Sequence, residues 1–162
     1  MKNTTLCYLE KDGRYLMLHR TKKEKDCNKD KWIGIGGHFE EGESPYDCAI
    51  REIFEETGLL VAALRYRGVV TFVSDEWECE QMHLFTSSDF LGEMHICDEG
   101  ELAWVEKTAL RSLPLWEGDH LFLDLLAKEH PFFSLKLTYI GNDLTAAVLD
   151  GIPLSKGEEG WL

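Results

Sequence analysis

The chain has 162 residues, of which 44% are hydrophobic, and its formal net charge is −13 at pH 7. This length and composition predict one domain, residues 1–162, whose core needs neither disulfides nor structural zinc. Five scattered cysteines without a C-x-x-C pair are typical of reduced thiols in a cytoplasmic protein. The negative charge argues against a nucleic acid polymer or an acidic membrane as a partner, and no apolar run is long enough to span a bilayer.

The first part of the chain predicts a β-hairpin followed by a basic loop. The segment TTLCYLEKDGRYLMLHR contains two β-like runs joined by a turn at Lys11, Asp12 and Gly13. Residues 20–31 then contain Arg20 and five lysines. Such a run is typical of a solvated loop, in which one or two cations could still face an anionic ligand.

The segment GHFEEGESPYDCAIREIFEETGL predicts the first helix. Ser44 is placed to cap it, Pro45 suits its first turn, and Gly58 is placed to end it. On a helical wheel, apolar residues and glutamates lie on nearly opposite sides. The apolar side consists of Ala49, Ile50, Ile53 and Phe54, and the acidic side consists of Glu52, Glu55 and Glu56.

The remaining segments predict strands and a second helix. LLVAALRYRGVVTFVS, CEQMHLFTSSDF and ELAWVEKTAL are typical of strands, and FSLKLTYIGNDLTAAVLD is typical of a closing hairpin. The spacing of Leu121, Phe122, Leu125 and Leu126 predicts an amphipathic helix that ends before Pro131. The hairpins favour an α+β domain, with a mixed sheet between helices, over a doubly wound parallel sheet. Residues 153–162 are a candidate flexible tail.

The three glutamates of the first helix predict a metal site. Like charges at this spacing destabilise a helix unless a cation screens them. Carboxylate oxygens suit Mg²⁺ or Mn²⁺, and Mg²⁺ commonly bridges carboxylates to substrate phosphates. Gly34, Gly36 and Gly37 would let the backbone approach, so that a carbonyl binds metal or N–H groups face an oxyanion. Arg51 and Glu43 predict an ion pair that ties this loop to the helix.

The same segment resembles the signature of the Nudix hydrolases. It contains Gly37, five residues, Glu43, seven residues, and then the run from Arg51 to Leu59. The resemblance implies an α/β/α sandwich with a mixed, curved β-sheet between helices. It also implies hydrolysis of a nucleoside diphosphate that is linked to a further group.

Roles for individual residues follow from this resemblance by position. The implied metal ligands are the Gly36 carbonyl, Glu52, Glu55 and Glu56. Glu43 and Arg51 are implied to hold the loop and the helix together, and Gly58 to end the helix. Glu99, in CDEGELAW, matches a further acid that many Nudix hydrolases supply from a distant loop; a solvated turn is the alternative for this residue.

A looser resemblance along most of the chain is to the MutT-like 8-oxo-dGTP diphosphatases, which hydrolyse oxidised purine nucleoside triphosphates. It implies base contacts from Trp116 and Asp119 in LWEGD, which on their own are also typical of a core aromatic and a helix-cap acid. An ionised Asp119 would accept hydrogen bonds from a guanine-type edge. The remaining predicted substrate contacts are Arg20, Trp32, Gly37 and His38, although Trp32 could instead wedge the loop against the core. The chain has Ile33 where the related mammalian enzymes have a base-reading asparagine.

The predicted reaction is attack of water on a nucleoside triphosphate, with Mg²⁺, or Mn²⁺ in its place, as the cofactor. The candidate general bases are Glu52, Glu55 and Glu99, because coupled carboxylates titrate as a group. The products would be a nucleoside monophosphate and pyrophosphate. Two alternatives remain: a Nudix hydrolase of a dinucleoside polyphosphate, ADP-ribose or a pterin triphosphate, and a non-catalytic nucleotide-binding module. The chain is predicted to act as a monomer or homodimer.

Overall fold

The computed structural model describes residues 1–22, 24–157, 160 and 161. Lys23 of the basic loop and residues 158, 159 and 162 of the predicted tail lie outside the described residues. The strands are β1 (Lys2–Lys11), β2 (Arg14–Arg20), β3 (Trp32–Ile33), β4 (Leu60–Ser74), β5 (Glu80–Leu91), β6 (Gly100–Glu106), β7 (Phe133–Ile140), β8 (Asp143–Leu149), β9 (Ile152–Pro153), β10 (Lys156–Gly157) and β11 (Gly160–Trp161). The α-helices are α1 (Pro45–Thr57) and α2 (Glu117–Ala127).

Nine of the described strands form one mixed, open sheet. Its order is β3-β2-β1-β5-β4-β7-β8-β9, with β6 also paired to β2. The β1–β5 and β4–β7 pairs are parallel, whereas β1–β2, β4–β5 and β7–β8 are antiparallel. The first hairpin turns at Asp12 and Gly13, both of which have positive φ, as a type I′ turn requires. The predicted α+β class with a mixed sheet is confirmed.

The two helices cover opposite faces of the sheet. Successive residues of a strand point to opposite faces, and in β1 the side chain of Tyr8 packs in the cluster that contains Phe122 of α2. Its neighbours Cys7 and Leu9 pack in the cluster that contains Ile53 of α1. The sheet therefore lies between two apolar layers, as the sandwich requires.

Helix α1 begins and ends where the sequence predicts. The Ser44 hydroxyl accepts from the Asp47 N–H, and the Asp47 carboxylate accepts from the Ser44 N–H, forming a capping box. Gly58 ends the helix with a φ of 81°, a left-handed conformation that favours glycine.

The predicted apolar side of α1 is wrong in two positions. Ile50 is 46% exposed and Phe54 is 51% exposed. The face that packs on the sheet is rotated towards the acidic side and contains Cys48, Ala49, Ile53, Glu56 and Thr57. This rotation places Glu56 at the edge of the core instead of in solvent, which a helical wheel cannot predict because it does not locate the sheet.

The second half of the chain departs from prediction in two details. ELAWVEKTAL is not one strand: β6 ends at Glu106 and a 3-10 helix spans Lys107–Ser112. The N-cap of α2 is Trp116, whereas Asp119 is a buried residue of its first turn without a capping role. Leu121 and Leu125 are only partly buried beside Phe122 and Leu126.

Part of the predicted tail forms strands and contacts helix α2. Strands β10 and β11 pair with each other, and the Trp161 indole N–H donates to Glu117 at 2.9 Å. Lys156 forms an ion pair with the same Glu117. Within the described ranges, neither α-helix combines the length and the apolar content that crossing a bilayer needs.

Candidate active site

The loop after β3 brings two glycines alongside α1. The loop runs antiparallel to β1, through a bridge between Cys7 and Ile35 and a hydrogen bond of 2.9 Å from the Thr5 N–H to the Gly37 carbonyl. The Gly36 N–H donates to a carboxylate oxygen of Glu56 at 3.2 Å. No described residue donates to the Gly36 carbonyl, which leaves this oxygen available as a ligand.

Three carboxylates crowd one another beside these glycines. Glu56 is only 7% exposed, and burial, together with the neighbouring Glu99 and Glu52, raises its pKa to about 9. Burial likewise raises the pKa of Glu52, against the opposing effect of Arg51. Ionisation of Glu52 and Glu56 is therefore disfavoured, as it is when like charges share a partly desolvated site.

Arg51 binds three acids of the signature, namely Glu43, Glu52 and Glu55. Its guanidinium pairs with both oxygens of Glu43, at 2.7 and 2.9 Å, and donates to the His38 carbonyl at 2.9 Å. It also donates to Glu52 at 2.7 Å and to the exposed Glu55 at 3.1 Å. The predicted Arg51–Glu43 ion pair between loop and helix is present, and the bond from Arg51 lowers the pKa of Glu43 to about 2.

Arg20 connects the basic loop with the acidic cluster. Its Nε donates to Asp26 at 2.8 Å and its Nη1 donates to Glu99 at 2.7 Å. The side chains of Arg20 and Asp26 are largely buried, so this ion pair holds the first part of the basic loop against the end of β2. Glu99 thus lies in the cluster with Glu56 and Glu52, although the sequence places it in a different segment.

A cleft of about 520 Å³ runs from this acidic cluster to an aromatic end, a size typical of small-ligand sites. The predicted residues that line it are Arg20, Gly36, Gly37, His38, Arg51, Glu52, Glu55, Glu56, Glu99, Trp116 and Asp119. Trp32 is not among its lining residues; the Trp32 ring instead stacks on His19 at 4.6 Å. This position favours the wedge interpretation of Trp32 over a substrate contact.

The aromatic end is formed by the start of α2 and the basic loop. Trp116 is 6% exposed, its indole N–H donates to Asn28 Oδ1 at 2.9 Å, and the ammonium of Lys31 lies 4.4 Å from the ring centroid. Tyr139 packs edge-on against the same ring, and its hydroxyl accepts from the Gly118 N–H at 2.7 Å. Asn28 was not among the predicted site residues.

Asp119 is buried, and burial disfavours the ionised form that the sequence analysis considers. It is 6% exposed, and burial raises its pKa to about 8, against an opposing effect of Lys31. The raised pKa favours the neutral carboxyl form, which has one O–H donor and one carbonyl acceptor. A group of this kind can pair with a donor and an acceptor at the same time.

Comparison with known proteins assigns the family. A family model described as the NUDIX domain matches residues 2–126. The chain belongs to the Nudix family. Nudix hydrolases act on pyrophosphate bonds in small nucleotides.

Individual Nudix relatives match over most of their length. The Nudix hydrolase YvcI of Bacillus subtilis is 29% identical over 147 residues, which cover 86% of this chain and 87% of YvcI. A Danio rerio protein named oxidized purine nucleoside triphosphate hydrolase is 30% identical over 132 residues, 81% of this chain and 83% of that protein. The structural match to the crystal structure of the mutator MutT protein from Bacillus halodurans covers 93% of this chain and 98% of the MutT chain. Its TM-score is 0.81 and the sequence identity is 24%. This last match supports the fold.

The donor set of this Nudix site fits a divalent ion, which Nudix hydrolases generally use. The crowded carboxylates, and the Gly36 carbonyl to which no described residue donates, are the hard oxygen donors that such ions prefer. Among the described residues, no group of three or more acidic, histidine or cysteine side chains is already arranged to hold a metal ion. Glu52 and Glu55 instead bond to Arg51, and Glu99 bonds to Arg20, so these arginines hold the acids in place.

Gly37 allows the close approach of Glu52 in this site. A Cβ atom on residue 37 would lie 2.6 Å from the carboxyl carbon of Glu52. Because that carboxylate ends a flexible side chain, we expect Gly37→Ala to displace it, to lower kcat/KM about tenfold and to leave the melting temperature nearly unchanged. Steady-state kinetics and thermal denaturation measure both effects.

A double-mutant cycle separates this explanation from general damage. If the clash is with Glu52, Gly37→Ala should cost much less activity in a Glu52→Ala background than in the wild type. An equal loss in both backgrounds would contradict the explanation.

Proposed function

We propose that the protein hydrolyses a purine nucleoside triphosphate, of the 8-oxo-dGTP or dGTP type, to the monophosphate and pyrophosphate. The observation that carries the proposal is the cleft that joins the crowded acids of α1 to the buried Asp119 beside Trp116. Nucleoside triphosphates have the matching polarity, with an anionic tail at one end and a flat base with hydrogen-bonding edges at the other. The relatives named oxidized purine nucleoside triphosphate hydrolase support the same substrate class.

At the acidic end, the groups that would hold Mg²⁺, or Mn²⁺ in its place, are the Gly36 carbonyl, Glu52, Glu55, Glu56 and Glu99. When bound, the ion neutralises phosphate charge and lowers the pKa of the attacking water. Arg51 positions Glu52 and Glu55 through its two hydrogen bonds to them. A proton from water would pass to Glu52, Glu55 or Glu99.

At the other end, Asp119 would pair with the edge of the base, and the Trp116 ring would form part of the wall. Phe72 and Leu137 complete an apolar surface there. Gly37 and His38 line the cleft beside the acidic cluster, where the phosphates would lie. Because the chain has Ile33 beside this surface, preference for an oxidised base must come from another group.

A substrate panel with product identification tests the proposed function. We expect dGTP and 8-oxo-dGTP to give monophosphate and pyrophosphate in the presence of millimolar-range Mg²⁺, and chelator to abolish turnover. ADP-ribose, dinucleoside polyphosphates and a pterin triphosphate serve as competing substrates in the same assay. Faster turnover of one of these, or full activity in excess chelator, would contradict the proposal.

A further inference from the structure

Asn28 is held firmly at the aromatic end of the cleft, although it lies in a basic loop. Its backbone N–H donates to Asp26 Oδ1 at 3.0 Å, and its carbonyl accepts from the Lys31 N–H at 2.9 Å. Asp26 is in turn anchored by Arg20 at 2.8 Å. This part of the loop is therefore a defined turn, and it carries Asn28 into the lining of the cleft.

The side-chain amide of Asn28 has one orientation. The Trp116 indole N–H donates to Oδ1 at 2.9 Å, and because an indole nitrogen can only donate, the amide oxygen must face it. The amide nitrogen then faces away from the indole, and no described residue offers it an acceptor. Two N–H donors are thus available to a ligand in the cleft.

We propose that Asn28 reads the base, by donating from its amide nitrogen to a ring carbonyl oxygen of a keto purine. The inference rests on the proposed function, because it needs a purine nucleotide in this cleft. Guanine and 8-oxoguanine have such carbonyl oxygens, whereas adenine has an amino group and no carbonyl. Asn28 therefore favours guanine-type bases over adenine.

The neighbouring groups cannot make this distinction. In the neutral form that burial favours, Asp119 offers one donor and one acceptor, so it matches the N1–H and O6 of guanine as well as the N1 and amino group of adenine. The Ile33 side chain has no hydrogen-bonding group, and the only N–H of the Trp116 side chain is already bonded to Asn28. An amide that presents only donors is selective, because adenine would leave it unpaired in a partly desolvated site.

The decisive variant is Asn28→Asp. It keeps an acceptor for the Trp116 N–H and replaces the two amide donors by an acceptor. We expect the guanine-over-adenine ratio of kcat/KM, measured with dGTP, 8-oxo-dGTP and dATP, to fall about tenfold or more. Any general repulsion from the added charge affects the three nucleotides alike and cancels in the ratio.

A second variant tests the orientation of the amide. Trp116→Phe keeps an aromatic ring and removes the N–H that fixes Oδ1, so the amide can turn either end to the cleft. We expect a smaller loss of the same ratio, about two- to fivefold, because the donor end is then presented part of the time. Thermal denaturation of both variants verifies that they are folded.

Binding of monophosphates separates this inference from the hydrolytic function. Calorimetric Kd values for dGMP, 8-oxo-dGMP and dAMP in chelator do not depend on turnover. A preference for the two keto purines that Asn28→Asp removes supports the inference, even if no triphosphate is hydrolysed. An equal affinity of the wild type for the three bases, or a ratio that the variant leaves unchanged, would overturn it.

Discussion

Glu56→Gln should lower kcat/KM by about 100-fold or more and weaken the dependence on divalent ion, because it removes a charged ligand from the acidic end. The amide keeps the size of the side chain, and its oxygen can still accept from the Gly36 N–H. Steady-state kinetics across a metal titration measures the loss. Glu41→Gln, at an exposed position of the preceding loop, is the matched control and should retain activity.

The same substitution should stabilise the metal-free protein at high pH. Glu56 has a pKa of about 9 in the fold against an ordinary value of 4.5, so the folded state binds its proton more tightly. Its contribution to stability is therefore fully present below pH 4.5 and is lost as pH rises towards 9.

Glutamine does not titrate, so Glu56→Gln should remove most of this decline. At pH 8 in chelator we expect the variant to exceed the wild type by more than about 1 kcal/mol, since one pKa unit corresponds to about 1.4 kcal/mol. Chemical denaturation at pH 5 and pH 8 measures the difference. Wild-type activity in Glu56→Gln, or an identical pH dependence of stability, would contradict the assigned role.

Asp119→Ala should raise KM for purine nucleotides about 10- to 100-fold, which corresponds to about 1–3 kcal/mol for a lost buried hydrogen-bonding partner. The kcat value and the metal requirement should be retained, because Asp119 lies at the end of the cleft away from the acids. Both dGTP and dATP should be affected, since a neutral carboxyl group pairs with either edge. Trp116→Ala should weaken binding of all bases, pyrimidines included, because it removes the ring itself.

Asp119→Asn is the matched control. An amide also offers a donor and an acceptor in the same place, so we expect KM within about threefold of the wild type at pH 7. Wild-type KM should change as pH rises through about 8, where Asp119 ionises and loses its donor. The asparagine variant should not show this change, and an equal change in both proteins would assign the pH effect to another group.

The acidic end was largely predictable because its chemistry is local. One short segment contains the helix caps, the glycines and the spacing of Glu52, Glu55 and Glu56. Each of these features can be predicted from residue type and position along the chain. The Arg51–Glu43 pair follows for the same reason. The exposure of Ile50 and Phe54 could not be predicted, because it depends on where the sheet lies relative to the helix.

The aromatic end was predicted less well because it depends on contacts between distant segments. Asn28 lies in a run of lysines with no periodicity, and its role follows only from Trp116, which is 88 residues away. Asp119 has the sequence context of a helix cap, and only the tertiary structure shows its burial. The charge state of a carboxyl group depends on such burial, so the sequence alone does not predict the protonation state of Asp119.

Separate segments of the chain form the two ends of the cleft, so the two ends can diverge independently in evolution. Within residues 26–33 and 116–119, the residues Asn28, Ile33, Trp116 and Asp119 line the cleft, whereas the acids come from α1 and Glu99. Substitutions in those two short stretches can alter which nucleotide is accepted without disturbing bond cleavage. Laboratory evolution confined to residues 26–33 and 116–119 should therefore yield new substrate ranges at high frequency, whereas equal mutational load in residues 36–56 should yield mostly inactive proteins.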